Sequence, residues 1–206
     1  IVKVASCSVQ DWPLLEKIAS VGKPVIVSVG GLTINEVDKV VSFFEHRGVD
    51  FAMMHCVAVY PTPMDKLHLD HIEVMRNRYP HLVIGFSTHE SPDNMTAIGL
   101  AYAKGGRIYE KHVGVPTKDI KLNAYSANPK QVRSWVEAYL NAVSACQNGQ
   151  ERVVEEEEKK DLQSLKRCVF AKKAIKKGKT LKKSDVYFAM PLLSREHLTS
   201  GEFREG

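Results

Sequence analysis

Two short apolar runs in this chain end on histidines: Gly85-Phe86-Ser87-Thr88-His89, and the run that closes with Glu110-Lys111-His112. Runs of this length, bounded by turn residues, read as buried strands. Polar side chains at strand C-termini stand where parallel α/β folds bind ligands. Two neutral imidazoles delivered in that way can share a first-row divalent cation such as manganese, iron, cobalt or zinc, with positions left open for water or a substrate oxygen. Magnesium suits them less, because it prefers oxygen ligands. The competing reading of each histidine is a structural one, fixed by a hydrogen bond. For His55, inside Met53-Met54-His55-Cys56, the structural reading is preferred.

The other strand ends add polar groups. The first supplies Lys3 and Ser6 with Ser8 beyond, the second Ser28, the third His55 and Tyr60, the fourth Ser87 beside His89, and the fifth Glu110, Lys111 and His112. A lysine with several hydroxyls suits a phosphate or carboxylate, since the lysine brings charge and the hydroxyls bring directional donors. Lys3 lies within an apolar strand, where an unpaired ammonium is costly, so it requires a partner or an anionic ligand. Ser6, Ser28 and Ser87 could each be packing residues; their weight is collective. Tyr60-Pro61-Thr62-Pro63 is a stiff loop of the kind that holds an aromatic ring over a ligand.

The elements that must position these groups alternate. Strands are predicted at 1–6, 24–28, 51–56, 82–86 and 107–111, and helices at 12–20, 34–47, 67–79, 92–104 and 129–147. That order of βα units implies an α/β fold with a parallel sheet. Asp11, Thr33 with Glu36, and Ser91 before Pro92 are candidate helix starts. Residues 148–165, with the run Glu155–Glu158, are expected to be a linker or a solvated helix. A small β-rich module is expected over 166–206, with a strand at 168–171, a turn at 176–179 and a short capped helical turn at 183–186.

With 206 residues, 44% of them hydrophobic, the chain can bury a substantial core. The net charge of +5 owes much to the lysines between Lys172 and Lys183, which lack interleaved aromatics, so nucleic-acid binding is not expected. Four cysteines without CxxC spacing give neither a zinc site nor a disulfide framework. No run is long enough to cross a bilayer and no membrane partner is expected, so a cytoplasmic enzyme is the expectation. The Asn94-Met95-Thr96 sequon falls in a predicted helix and is set aside. The chain opens on Ile1 within a strand, and so reads as a fragment or a trimmed product.

Taken in order, Lys3-Val4-Ala5-Ser6, Lys23-Pro24-Val25-Ile26-Val27-Ser28-Val29-Gly30-Gly31, His55-Cys56 with Tyr60-Pro61-Thr62-Pro63, Gly85-Phe86-Ser87-Thr88-His89 and Glu110-Lys111-His112 carry a family resemblance. Over about residues 1–147 the chain resembles the sialic acid synthases, including the related spore coat polysaccharide synthesis proteins. From about Lys166 it resembles the start of their antifreeze-like (SAF) domain. The resemblance implies the C-terminal five βα units of a TIM barrel. It also implies condensation of phosphoenolpyruvate with N-acetylmannosamine or a related amino sugar to a nine-carbon acid, in a homodimer. By the same resemblance Lys3, Ser6, Ser28 and Ser87 hold phosphoenolpyruvate, His89, His112 and Tyr60 are catalytic residues, the two histidines bind a metal, most often manganese, and Tyr60 faces the sugar.

The departures fall on the sugar side: Ser8 where an acid is common, Ala58 where an asparagine is, Thr88 within the usual Ser-Asp-His, and Lys118–Ser126 in place of a Gly-Pro-Asp segment. They leave the acceptor open. With five of eight βα units legible, the piece alone is expected to be inactive. The alternatives are a non-catalytic relative, or another metal-dependent TIM-barrel aldolase; the latter would not account for the tail.

Overall fold

The computed structural model describes residues 1–191, 194 and 196–204, and it divides into two compact units, Ile1–Gly149 and Gln150–Gly206. Residues 192, 193, 195, 205 and 206 of the expected 166–206 module lie outside the described set.

The first unit is built on β1 (Val2–Val4), β2 (Val25–Ser28), β3 (Phe51–Cys56), β4 (Ile84–Thr88) and β5 (Ile108–Lys111). They lie side by side in sequence order and every pairing is parallel. Between and after them run α1 (Trp12–Ala19), α2 (Ile34–Glu45), α3 (Asp70–Arg78), α4 (Thr96–Ala103) and α5 (Pro129–Cys146). Each strand is added beyond the last with no reversal of order. That winding makes a stretch of barrel wall rather than a doubly wound sheet.

Register sorts the side chains between the two faces. Lys3 aligns with Ile26 and Ala52, Ser28 with Met54 and Gly85, and Cys56 with Ser87 and Glu110. Because side chains alternate along a strand, these residues share one face, and Val25, Val27, Met53, Ile84, Phe86 and Tyr109 share the other. The second set packs with Val37, Val40 and Phe44 of α2, Ile72 and Met75 of α3, and Ala97 and Ala101 of α4 to form the core. Burying this helix-facing layer stabilises the unit and leaves the opposite face free for polar chemistry.

One glycine is required by the close approach of two strands. A Cβ built on Gly85 would lie 2.4 Å from the carbonyl oxygen of Ile108 on the neighbouring strand, closer than any side chain tolerates.

Several expected boundaries shift for local reasons. The helix expected over 92–104 begins instead at Thr96, because the Asn94 side chain accepts from the N–H groups of Thr96 and Ala97 and outcompetes the Ser91-Pro92 start. The helix expected over 67–79 is shortened to Asp70–Arg78, preceded by a 3-10 turn at Met64–Lys66 and by His68 at φ 47°. The fourth strand runs two residues further than expected, to Thr88, so His89 follows it directly. The expected caps at the first two helices do form. Asp11 accepts from Leu14 N–H at 3.2 Å, and Glu36 accepts from Thr33 N–H at 2.8 Å and Thr33 Oγ1 at 2.7 Å.

In the second unit α6 occupies Glu156–Leu165, which is the solvated helix of the two alternatives expected for residues 148–165. Beyond it β6 (Cys168–Ala171) and β7 (Val186–Ala189) pair antiparallel. A 3-10 turn at Lys183–Asp185 leads into β7, and Asp185 accepts from Lys179 Nζ at 2.6 Å and from Lys182 N–H at 3.2 Å. Among the described residues no helix is long and apolar enough to cross a membrane.

Candidate functional site

At the C-terminal ends of β1 to β5 lies a cleft of about 350 Å³ lined by Lys3, Ser6, Ser28, Tyr60, Ser87, His89 and His112, joined by Ala5, Cys7, Cys56, Glu110 and Tyr125. All of the residues expected to form a site are therefore brought to one place. A larger hollow of about 510 Å³, lined by Met64, Leu67, His68, Leu69, Asp70, His71, Val74 and Leu100, gathers mostly apolar groups.

One side of the cleft is a continuous polar chain. Lys3 Nζ donates to Ser28 Oγ at 2.9 Å and stands 3.1 Å from Glu110 Oε2, which also accepts from Ser87 Oγ at 2.8 Å. Burial raises the pKa of Glu110, but the hydrogen bonds from Ser87 and Lys3 outweigh it and hold the carboxyl below its ordinary range. Glu110 is therefore ionised at neutral pH. Ser6 is placed from the other direction, its Oγ accepting from Gly30 N–H at 2.9 Å.

The other side is aromatic. The rings of His89 and His112 are 5.1 Å apart, and Tyr125 packs against both, at 5.8 Å and 5.0 Å. Tyr60 lies 4.4 Å from His89 and 5.2 Å from Tyr125. Two backbone links build this wall. Thr62 N–H donates to His89 C=O at 3.0 Å and lays the tyrosine loop along residue 89, while Ala127 N–H donates to His112 C=O at 2.9 Å and returns the 113–127 loop to the strand end.

His89 Nδ1 lies 3.2 Å from the carbonyl oxygen of Val57, which can only accept. Nδ1 therefore carries the proton, and Nε2 keeps its lone pair. Burial lowers the His89 pKa, which favours the neutral ring. A neutral imidazole oriented by a backbone carbonyl is the state in which histidine ligates a metal. The donor set thus fits a divalent cation. Among the described residues no group of three or more His, Cys, Asp or Glu is placed to hold a metal, so two imidazoles would be the protein's share and solvent or substrate oxygens the remainder.

His55 faces the helices and is structural. It is 5% exposed, and its Nε2 donates to Leu67 C=O at 2.8 Å. Burial pushes its pKa from 6.5 down to about 4, against the opposing pull of the Leu67 hydrogen bond and with help from His71 and His68. Between these two values the unfolded chain binds more protons at this position than the folded one. Stability is therefore fully present above about pH 6.5 and lost as pH falls toward 4, by about 3 kcal/mol at most. Urea midpoints of the full chain measured from pH 7 to pH 4 should fall accordingly, and His55→Gln should flatten the fall; an equally steep fall in the variant would place its origin elsewhere.

Glu110, Cys56 and Tyr125 are among the cleft residues to which the sequence reading gave no role. Strand parity carried a signal for the first two, because both align with Ser87, whereas Lys111, one residue further on, turns away to the helix side. Nothing in the sequence of the 113–127 loop announced that it folds back over the histidines.

The family model described as the NeuB family matches residues 1–151. The chain belongs to the NeuB family. Over its whole length this NeuB chain superposes on the crystal structure described as spore coat polysaccharide biosynthesis protein E from Chromobacterium violaceum, with a TM-score of 0.84 and 46% identity, covering 61% of that chain. It is 28% identical to the pseudaminic acid synthase of Campylobacter jejuni over 92% of its own length and 54% of the relative's. It is 36% identical to the N-acetylneuraminate-9-phosphate synthase of Drosophila melanogaster over 54% of its length and 30% of the relative's. The chain thus spans about half the length, or less, of these two curated relatives.

Proposed function

We propose that this cleft serves the condensation of phosphoenolpyruvate with an N-acetylated amino sugar, N-acetylmannosamine or a relative, giving a sialic-acid-like nonulosonic acid and phosphate for surface or spore coat polysaccharide. The observation that carries the reading is the Ser28–Lys3–Glu110–Ser87 chain standing beside the His89/His112 pair in one cleft of a NeuB chain.

On this reading Lys3 supplies the cation for the phosphoenolpyruvate carboxylate or phosphate, and the Ser6, Ser28 and Ser87 hydroxyls supply directional hydrogen bonds. C3 of phosphoenolpyruvate forms the new bond to the aldehyde carbon, water adds at C2, and cleavage of the C2–O bond releases phosphate and leaves a ketone. Glu110, ionised and already accepting from Lys3 and Ser87 at Oε2, is the carboxylate placed to take the proton of that water. His89 and His112 would hold the divalent cation, manganese foremost, whose Lewis acidity polarises an aldehyde oxygen when it is bound. Tyr60, with Tyr125 beside it, offers the apolar wall against which a sugar ring stacks. We take the 166–206 module as the start of an antifreeze-like domain and the working enzyme as a homodimer.

The test is calorimetric titration of the intact, full-length protein with phosphoenolpyruvate, with and without manganese, followed by phosphate release across a panel of N-acetylated hexosamines. Release that depends on both sugar and metal is the expected result. Failure to bind phosphoenolpyruvate would overturn the reading and favour a non-catalytic relative.

A further inference from the structure

On the helix side of the sheet, behind the cleft, lies a buried ion pair. Lys111 Nζ is 3.0 Å from Glu90 Oε1, and the two side chains are 3% and 1% exposed. Lys111 is aligned with Thr88 across β4 and β5, and its ammonium stands 5.8 Å from the ring of Trp135 on α5. Around it Thr88 Oγ1, Glu90 Oε2 and Trp135 Nε1 are buried without a hydrogen-bond partner among the described residues.

Such a pair is a poor way to gain stability. Two desolvated charges with unsatisfied neighbours are commonly matched or bettered by apolar side chains of similar volume. What an apolar pair does not supply is a directional tie of fixed length between two backbone segments. The placement of this tie is specific. Glu90 directly follows His89, Lys111 directly precedes His112, and the β4–β5 ladder ends at Thr88 and Lys111. Beyond that last rung, His89 and His112 are tied through their carbonyls to other loops, by way of Thr62 and Ala127.

We propose that the Glu90–Lys111 ion pair is a strut that sets the separation of His89 and His112; the inference rests on the reading of those histidines as a metal pair. Glu90 and Lys111 are positioning residues that act through their neighbours. The geometry that two imidazoles offer a cation is sensitive to small shifts of the segments that carry them, and loss of such outer support weakens metal affinity about 10- to 100-fold.

The experiment compares the full chain with its Glu90→Met/Lys111→Met double variant, with manganese alone as the probe. Three quantities are read: calorimetric manganese affinity, the thermal midpoint of the metal-free protein, and phosphoenolpyruvate affinity without metal. The strut requires manganese affinity to fall about 10-fold or more while the other two stay near the parent's. Equal manganese affinity in parent and double variant would overturn it while leaving the metal pair standing. No manganese binding by the parent would overturn the metal pair and the strut with it. Should the double variant not fold, Glu90→Gln, nearly isosteric, is read in the same way, and a folded Glu90→Gln variant that binds manganese like the parent would overturn the strut.

Discussion

Replacing His89 by alanine is expected to weaken manganese binding by the intact, full-length protein on the order of a hundredfold or more, exceeding the loss from any outer support, and to reduce sugar-dependent phosphate release in step. With two imidazoles as the protein's whole share of the proposed site, removing one leaves a single nitrogen that binds little better than solvent. The contrast within the cleft makes the test specific. Ser28 bonds Lys3, and Lys3 and Ser87 both meet Glu110, whereas His89 is linked to this chain indirectly, through the charge of Glu110 and a 3.9 Å contact with Cys56 Sγ. Phosphoenolpyruvate affinity measured without metal should therefore stay within about threefold of the parent's, as for groups whose coupling is only indirect. Calorimetry with each ligand separately checks both halves. Manganese affinity left intact by His89→Ala would remove the metal pair from the account and return His89 to a structural role against Val57 C=O and Tyr60.

How much of this cleft was legible beforehand follows from what each residue depends on. The strand-end positions of Lys3, Ser28 and Ser87 follow from short apolar runs, whose ends are marked by turn residues, so their convergence needed only the parallel order of the strands. The face of each residue needed register as well. Glu110 and Lys111 look equivalent at the end of one run, yet one-residue parity puts the first among the cleft groups and the second beside Trp135. Reading that parity from the apolar pattern was difficult, because a strand covered by helices on one side and lining a barrel on the other carries apolar residues on both faces, as Val25-Ile26-Val27 does.

The loops were least legible. Tyr125 reaches the histidines because the Ala127 N–H meets the His112 carbonyl and Val113 bridges to Ala127. These contacts are set by the backbone and leave no composition signature. The same holds for the start of α4, where the Asn94 side chain, and not the expected Ser91, accepts from the first N–H groups.

Substituting methionine for Lys3 tests the other half of the site. Met keeps the length and the apolar stem and removes only the charge and its donors. Lys3 now bonds Ser28 Oγ at 2.9 Å and faces Glu110 Oε2 at 3.1 Å, so in the free protein its charge is balanced by one carboxylate. A phosphoenolpyruvate anion would bring further negative charge to the same ammonium. Hydrogen bonds to a charged group contribute about 1.5–3 kcal/mol, so affinity for phosphoenolpyruvate should fall roughly 10- to 100-fold. Stability should change by less than about 1 kcal/mol, because the Lys3 and Glu110 side chains are 31% and 43% exposed and solvent screens much of their attraction. Manganese affinity should move little, which separates this variant from His89→Ala. An unchanged phosphoenolpyruvate affinity would mean that Lys3 serves only to neutralise Glu110 between the first and fifth strands, and the anion would then have to be sought elsewhere in the cleft.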